Sequence, residues 1–280
     1  MPLDAAAFDR LPTVQGEVVY LAKMAERPHT YAYDPPDGRP RSNIVEERAR
    51  VAIADMRPVA ADLSLEREGF ALIEAPTAAD DLYDEDELRR VYYPETERYI
   101  AQATGASRVV IFDHTIRRRH WGIEDRTPGV PRQPVVRIHG DYTEASGPQR
   151  VRDVMGAEAE ALLAKRFAIV NLWRPIRSPL WDAPLALCDA RTLGDGDLVA
   201  QDLIYKDRTG EIYCLTSNPS HRWYYAPRMS RDEALLLKCY DSLRDGRARF
   251  MPHTSFADPD APDPLPPRES IEIRTLAFFD

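Results

Sequence analysis

The chain has 280 residues, of which 44% are hydrophobic and 30% charged, a composition expected of a globular protein with one large core. Its formal net charge is −9, which argues against nucleic acid as a partner, because phosphate binding needs a basic field that the short run 117–120 does not supply. The cysteines at 188, 214 and 239 are odd in number and lack CxxC spacing, so free thiols in a reducing cytoplasm are expected. No leader pattern opens the sequence, and no apolar run reaches a membrane span.

In chain order, residues 18–21 read as a short strand, and residues 35–38 (PPDG) as a turn. Acids at 84–87 ahead of Leu88 and Val91 predict a helix start, and Pro94 opens a further helix ending near Gly105. From residue 107 short β-like runs follow: 109–112, 135–138, 167–173 after a helical stretch at 156–165, 185–188, 198–205, 212–215, 222–225 and 271–279. Residues 207–210 (DRTG) suit a hairpin loop between two of these. Ser230 and Glu233 have capping-box spacing, and Leu236, Cys239, Tyr240 and Leu243 follow at helical intervals, which predicts one helix within this region. The acidic, proline-rich stretch 257–267 predicts an extended loop before the last strand. Many short strands with such punctuation indicate an antiparallel β-sandwich or barrel with flanking helices.

The chemistry-bearing residues are few. His139 and Asp141 follow the run VVRI, and residues i and i+2 of a strand share a face. An imidazole and a carboxylate so placed make two metal ligands, and a second histidine would complete the facial triad of non-haem Fe(II) oxygenases. His221, just before the run RWYY, and His253, in MPHT, are the rival third ligands; His221 is preferred because it directly precedes an apolar strand. Arg268 and Ser270 open the last strand on one face and can together hold a carboxylate. Trp173, Trp223, Tyr224 and Tyr225 are candidates either for a substrate pocket or for core. Tyr142 and Thr143 lie next to the metal-binding pair.

The segments NLWRPI, PLALCDAR, HRWYYAPRM, DEALLLKCYDS, ARFMPHTSF and RESIEIR, with HGD, occur in one order over about half of the chain. In these the sequence resembles the gibberellin desaturase-like and fungal meroterpenoid endoperoxidase-like family of Fe(II)/2-oxoglutarate-dependent oxygenases. The resemblance implies a double-stranded β-helix (jelly-roll, cupin-like) in a single domain over 1–280, with residues 1–106 as an N-terminal elaboration and 107–280 as the core. It implies Fe(II) on His139, Asp141 and His221, with 2-oxoglutarate and O₂ as co-substrates. Arg268 and Ser270 would bind the 2-oxoglutarate carboxylate, with Arg249 and Arg174 as alternatives. The activity it implies is C–H hydroxylation or desaturation of a small, largely apolar natural product or its precursor. A zinc hydrolase and a metal-free cupin-like binding protein are the competing classes, and a homodimer is one oligomeric state left open.

Overall fold

The computed structural model describes residues 8–35, 38–125, 127 and 129–280. The residues before 8, and Pro36 and Asp37 of the expected turn, lie outside the described residues. Strands β1 (Thr13–Leu21), β2 (His29–Tyr31), β3 (Glu46–Asp55) and β4 (Phe70–Glu74) precede helix α1 (Tyr93–Thr104). β5 (Arg108–Arg118), β6 (His139–Gly140), helix α2 (Ser146–Met155), β7 (Phe167–Pro175) and β8 (Leu185–Cys188) follow. The hairpin β9 (Leu198–Ile204) and β10 (Thr209–Leu215) leads to β11 (Trp223–Tyr225), β12 (Glu233–Asp241), β13 (His253–Ser255) and β14 (Glu269–Phe278).

Two sheets face each other. One has the order β4-β12-β7-β14-β5, and the other β1-β3-β11-β8-β13-β6-β10-β9-β2. From β5 to β8 successive strands alternate between the sheets, and from β11 to β14 they do so again. That alternation, with antiparallel pairing throughout β5-β14-β7-β12 and β6-β13-β8-β11, is a double-stranded β-helix. β1 and β3 widen one sheet and β4 the other, so the N-terminal strands are integral to both.

The two-residue period of a strand sorts its side chains between layers. On β7, Phe167, Ile169 and Trp173 face the core between the sheets, while Ala168, Val170 and Leu172 face a second core under α1. The helical segment before α1 is capped by Asp84, whose carboxylate accepts from the Glu87 N–H, and α1 ends at Gly105 in the left-handed conformation (φ 72°).

β12 overturns the helix expected over 230–243. All nine residues of Glu233–Asp241 are buried, with Leu235 and Leu237 in the inter-sheet core and Ala234 and Leu236 under α1. A strand covered on both faces reads as a continuous apolar run, and such a run also contains helical spacings. The predicted Ser230–Glu233 contact forms nonetheless, the Ser230 N–H donating to Glu233 Oε2 at 2.8 Å, but it shapes a turn into β12. Residues 135–138 are also not a strand beyond a bridge at Arg137, and the pairing starts at His139 itself.

Candidate active site

β6 carries His139, and Asp141 follows it. β13 runs antiparallel beside β6 with His253 directly opposite His139, their ring centroids 4.5 Å apart. One ligand atom from each of His139, Asp141 and His253 lies within 4.8 Å of the other two. His139 Nδ1 donates to the Arg137 carbonyl at 2.9 Å, which fixes the tautomer and leaves Nε2 with a free lone pair 3.6 Å from Asp141 Oδ1. His253 Nδ1 similarly faces the Met251 carbonyl, at 3.5 Å. Burial, with the neighbouring His253, pushes the His139 pKa down to about 3, so the imidazole is neutral. Burial works against ionisation of Asp141, but the facing His253 and His139 rings and the Arg274 guanidinium outweigh it and hold the carboxyl below the usual carboxylate range. Two imidazoles and one carboxylate at this spacing suit a divalent metal.

The third member of this group is His253, not the expected His221. The pairing order explains why: β11, which follows His221, is separated from β6 by β13 and β8. Three strand spacings amount to about 14 Å. His221 is moreover fully engaged, with Nε2 donating to Asp197 Oδ2 at 3.0 Å and Nδ1 accepting from the Tyr20 hydroxyl at 3.2 Å. Tyr20 in turn accepts from Trp223 Nε1 at 3.0 Å, so the aromatic group beside His221 is a hydrogen-bonded piece of core.

Behind the cluster lies a residue that sequence reasoning missed. Asn171, fully buried on β7, donates through Nδ2 to Asp141 Oδ2 and to Glu272 Oε1, each at 2.7 Å. Glu272 accepts from Arg274 at 2.8 Å, and Arg274 reaches Asp113 at 2.9 Å. Cys239 completes the surroundings with Sγ 3.5 Å from Asp141 Oδ2. An asparagine inside the apolar run FAIVNLW was the available signal, since a buried amide must find partners. Cys188, Cys214 and Cys239 are buried free thiols, as expected.

Arg268, just before β14, and Ser270, Glu272 and Arg274 along it alternate and point inward with Asn171 and Trp173 of β7. Arg268 is buried, donates through Nε to Ser270 Oγ at 3.0 Å and through Nη1 to the Ala183 carbonyl at 2.8 Å, and lies over the Trp173 ring. Its Nη2 has no acceptor among the described residues. Burial and the nearby Arg117 guanidinium push the Arg268 pKa down to about 9, the mark of a cation short of negative charge. The rival Arg249 is committed to Glu144 and to the Asp241 carbonyl. Arg174 points to the α1 side of β7, over the Tyr92 ring.

A cavity of about 1100 Å³ opens over His139 and Asp141. Among the described residues its wall carries six acids and six arginines beside polar and apolar side chains, and its rings other than His139 are Phe112, Tyr142 and Tyr205. Trp173, Trp223, Tyr224 and Tyr225 are core residues and do not line it. Tyr142 is therefore at the site, while Thr143 turns away to bond Glu211 and Ser146.

A double-stranded β-helix with His-x-Asp on one strand and a histidine opposite defines the non-haem iron oxygenase class of site. Residues 18–278 match the family described as an Oxidoreductase/YMDC permease-like domain. Among the described residues no helix is long and apolar enough to cross a membrane. The hydroxylase/desaturase efuI of Hormonema carpetanum is 34% identical over 250 residues, covering 82% of this chain and 83% of the relative. The Fe(II)/2-oxoglutarate-dependent dioxygenase nvfI of Aspergillus novofumigatus (strain IBT 16806) is 30% identical over 255 residues, covering 89% and 90%. A solved structure of the iron and alpha-ketoglutarate-dependent endoperoxidase NvfI superposes with a TM-score of 0.85 at 27% identity, over 95% of this chain and 98% of that one. The chain belongs to this family of Fe(II)/2-oxoglutarate-dependent oxygenases, and is an oxidoreductase of the dioxygenase class.

Proposed function

We propose that His139, Asp141 and His253 hold a single Fe(II), and that Arg268 and Ser270 bind the distal carboxylate of 2-oxoglutarate. The observation that carries this reading is the convergence of the three donor groups within 4.8 Å, with His139 Nε2 left free by the bond that its Nδ1 makes. With iron bound there, 2-oxoglutarate and O₂ supply the oxidising power for hydroxylation or desaturation of a C–H bond, with succinate and CO₂ as co-products. The protein's own part is positional. Asn171 fixes the Asp141 carboxylate, the Arg137 carbonyl fixes the His139 ring, and Arg268 offers an unsatisfied guanidinium to an anion. The cavity above presents one C–H bond of a small molecule to the metal side. The chain acts as one oxygenase domain in which residues 1–106 elaborate the core, and its place is the cytoplasm.

The test combines metal analysis of anaerobically purified protein with succinate release from 2-oxoglutarate. Bound iron and succinate are expected, and zinc without succinate release would overturn the reading. His253→Ala is expected to lose both iron and succinate release, whereas His221→Ala keeps its iron. The reverse pair of results would return the third ligand to His221.

A further inference from the structure

We infer that the cavity takes a substrate bearing a carboxylate, anchored by Arg150 beside the metal site; this rests on the oxygenase reading above and names its substrate class. The cavity wall carries acids and arginines together, but they are not equally satisfied. Asp113 pairs with Arg274 at 2.9 Å, Asp125 with Arg132 at 2.8 Å and Asp202 with Arg27 at 2.7 Å. Glu211 shares Arg27. The positive side is left over. Arg137, two residues before His139, has no carboxylate within ion-pair distance among the described residues.

Arg150 is the sharper case. It projects from α2, its side chain about one-third exposed, and its Nε is buried with no hydrogen-bond partner among the described residues. Its nearest carboxylate oxygen, on Asp153, is 4.0 Å away, at the outer limit of an ion pair. The guanidinium instead lies 5.4 Å from the centre of the Phe112 ring and 6.0 Å from that of Tyr142. Both rings line the cavity, and Tyr142 directly follows Asp141. Two aromatic faces hold the cation in place but do not accept its N–H groups in line, so a planar anion can gain full charge-assisted bonds there. A buried Nε–H without an acceptor is costly, and a ligand carboxylate removes that cost.

The geometry therefore selects an amphipathic molecule. Its carboxylate meets Arg150, its carbon skeleton lies against Phe112 and Tyr142, and the carbons near the acid end face Asp141. A cavity of about 1100 Å³ holds a molecule of polycyclic natural-product size beside the co-substrate. The co-substrate's own carboxylate is assigned elsewhere, to Arg268 at the inner end of β14, so Arg150 is not needed for it.

The experiment uses the Fe(II) and 2-oxoglutarate loaded protein without oxygen, and a panel of bicyclic and polycyclic carboxylic acids, each matched with its primary carboxamide. Calorimetry gives the affinity of each probe, and the absorption of iron-bound 2-oxoglutarate reports co-substrate occupancy separately. At least one acid is expected to bind about tenfold or more tightly than its amide, since a charge-assisted contact is lost in the amide. Arg150→Gln erases that preference while keeping the absorption, and Arg150→Lys restores it in part. The inference is overturned if no acid outbinds its amide, or if Arg150→Gln keeps the preference. It is equally overturned if Arg150→Gln loses the absorption, which would make Arg150 part of the co-substrate site. Absent absorption in the unaltered protein sinks the oxygenase reading instead, and the acid–amide comparison still decides this one.

Discussion

Replacing Asn171 by leucine tests how the site is held together. The amide sits between two carboxylates, Asp141 and Glu272, and gives one N–H to each at 2.7 Å. Leucine has the same branched shape and is somewhat larger, so Asn171→Leu removes both donors without leaving a cavity, and any overpacking adds to the loss. Hydrogen bonds to charged groups contribute about 1.5–3 kcal/mol each, which puts the loss at about 3–6 kcal/mol. That is a large fraction of the roughly 5–15 kcal/mol that holds a domain folded. Glu272 keeps its bond to Arg274, and Asp141 keeps only the Cys239 thiol, so the Asp141 side is the more exposed to the change. A metal would compensate part of the Asp141 loss, but a carboxylate freed to rotate binds it about 10–100-fold less tightly. Urea unfolding of metal-free protein reads the first quantity, and anaerobic titration with Fe(II) or Co(II) reads the second. A loss below about 1 kcal/mol with unchanged metal affinity would refute the view that Asn171 organises the ligand carboxylate.

The co-substrate assignment predicts that Arg268→Ala lowers 2-oxoglutarate affinity by more than about tenfold while iron content stays normal, as losing one partner of a desolvated charge pair does. Ser270→Ala is expected to do less, and Arg268→Lys to recover only part of the affinity; anaerobic titration decides, and unchanged binding in Arg268→Ala moves the carboxylate elsewhere. Asp125 predicts a pH effect. Burial pushes its carboxyl up, but Arg132 and the Gln133 N–H outweigh it and hold it at about 2, below its ordinary 3.8. Its stabilisation is thus complete above about pH 4 and drains away as the pH falls toward 2. Asp125→Asn is expected to cost about 1 kcal/mol at neutral pH and almost nothing near pH 2, read as melting temperature against pH; an equal deficit at both ends would refute it.

Much of the molecule could be read locally. His139 and Asp141 fall two residues apart, and Arg268 and Ser270 likewise, so a strand's period of two put each pair on one face before any fold was known. The hairpin from β9 to β10 and the largely apolar β7 were visible for the same reason, since turn chemistry and residue patterning act over a few residues. The family segments, spread in order along the chain, carried the oxygenase class, and the jelly-roll topology agrees with it.

What the tertiary structure alone decided are the long-range choices. Whether His221 or His253 meets His139 depends on which strand lies beside β6. β13 does, and His221 is instead consumed by Asp197 and Tyr20, two residues with no sequence mark of that role. The apolar run 234–237 suits a helix or a doubly buried strand equally, and only a partner on each edge, β4 and β7, selects the strand. Asn171 became a bridge because β7 brings it against Asp141 and Glu272 from two distant strands. Of the two roles open to Trp223 and Tyr224, pocket or core, burial in the whole fold selects core, and the cavity over His139 is lined by other residues. A sequence fixes which side chains share a face of one element. Which faces meet is set by the pairing and burial of the whole chain, where each contact depends on all the others.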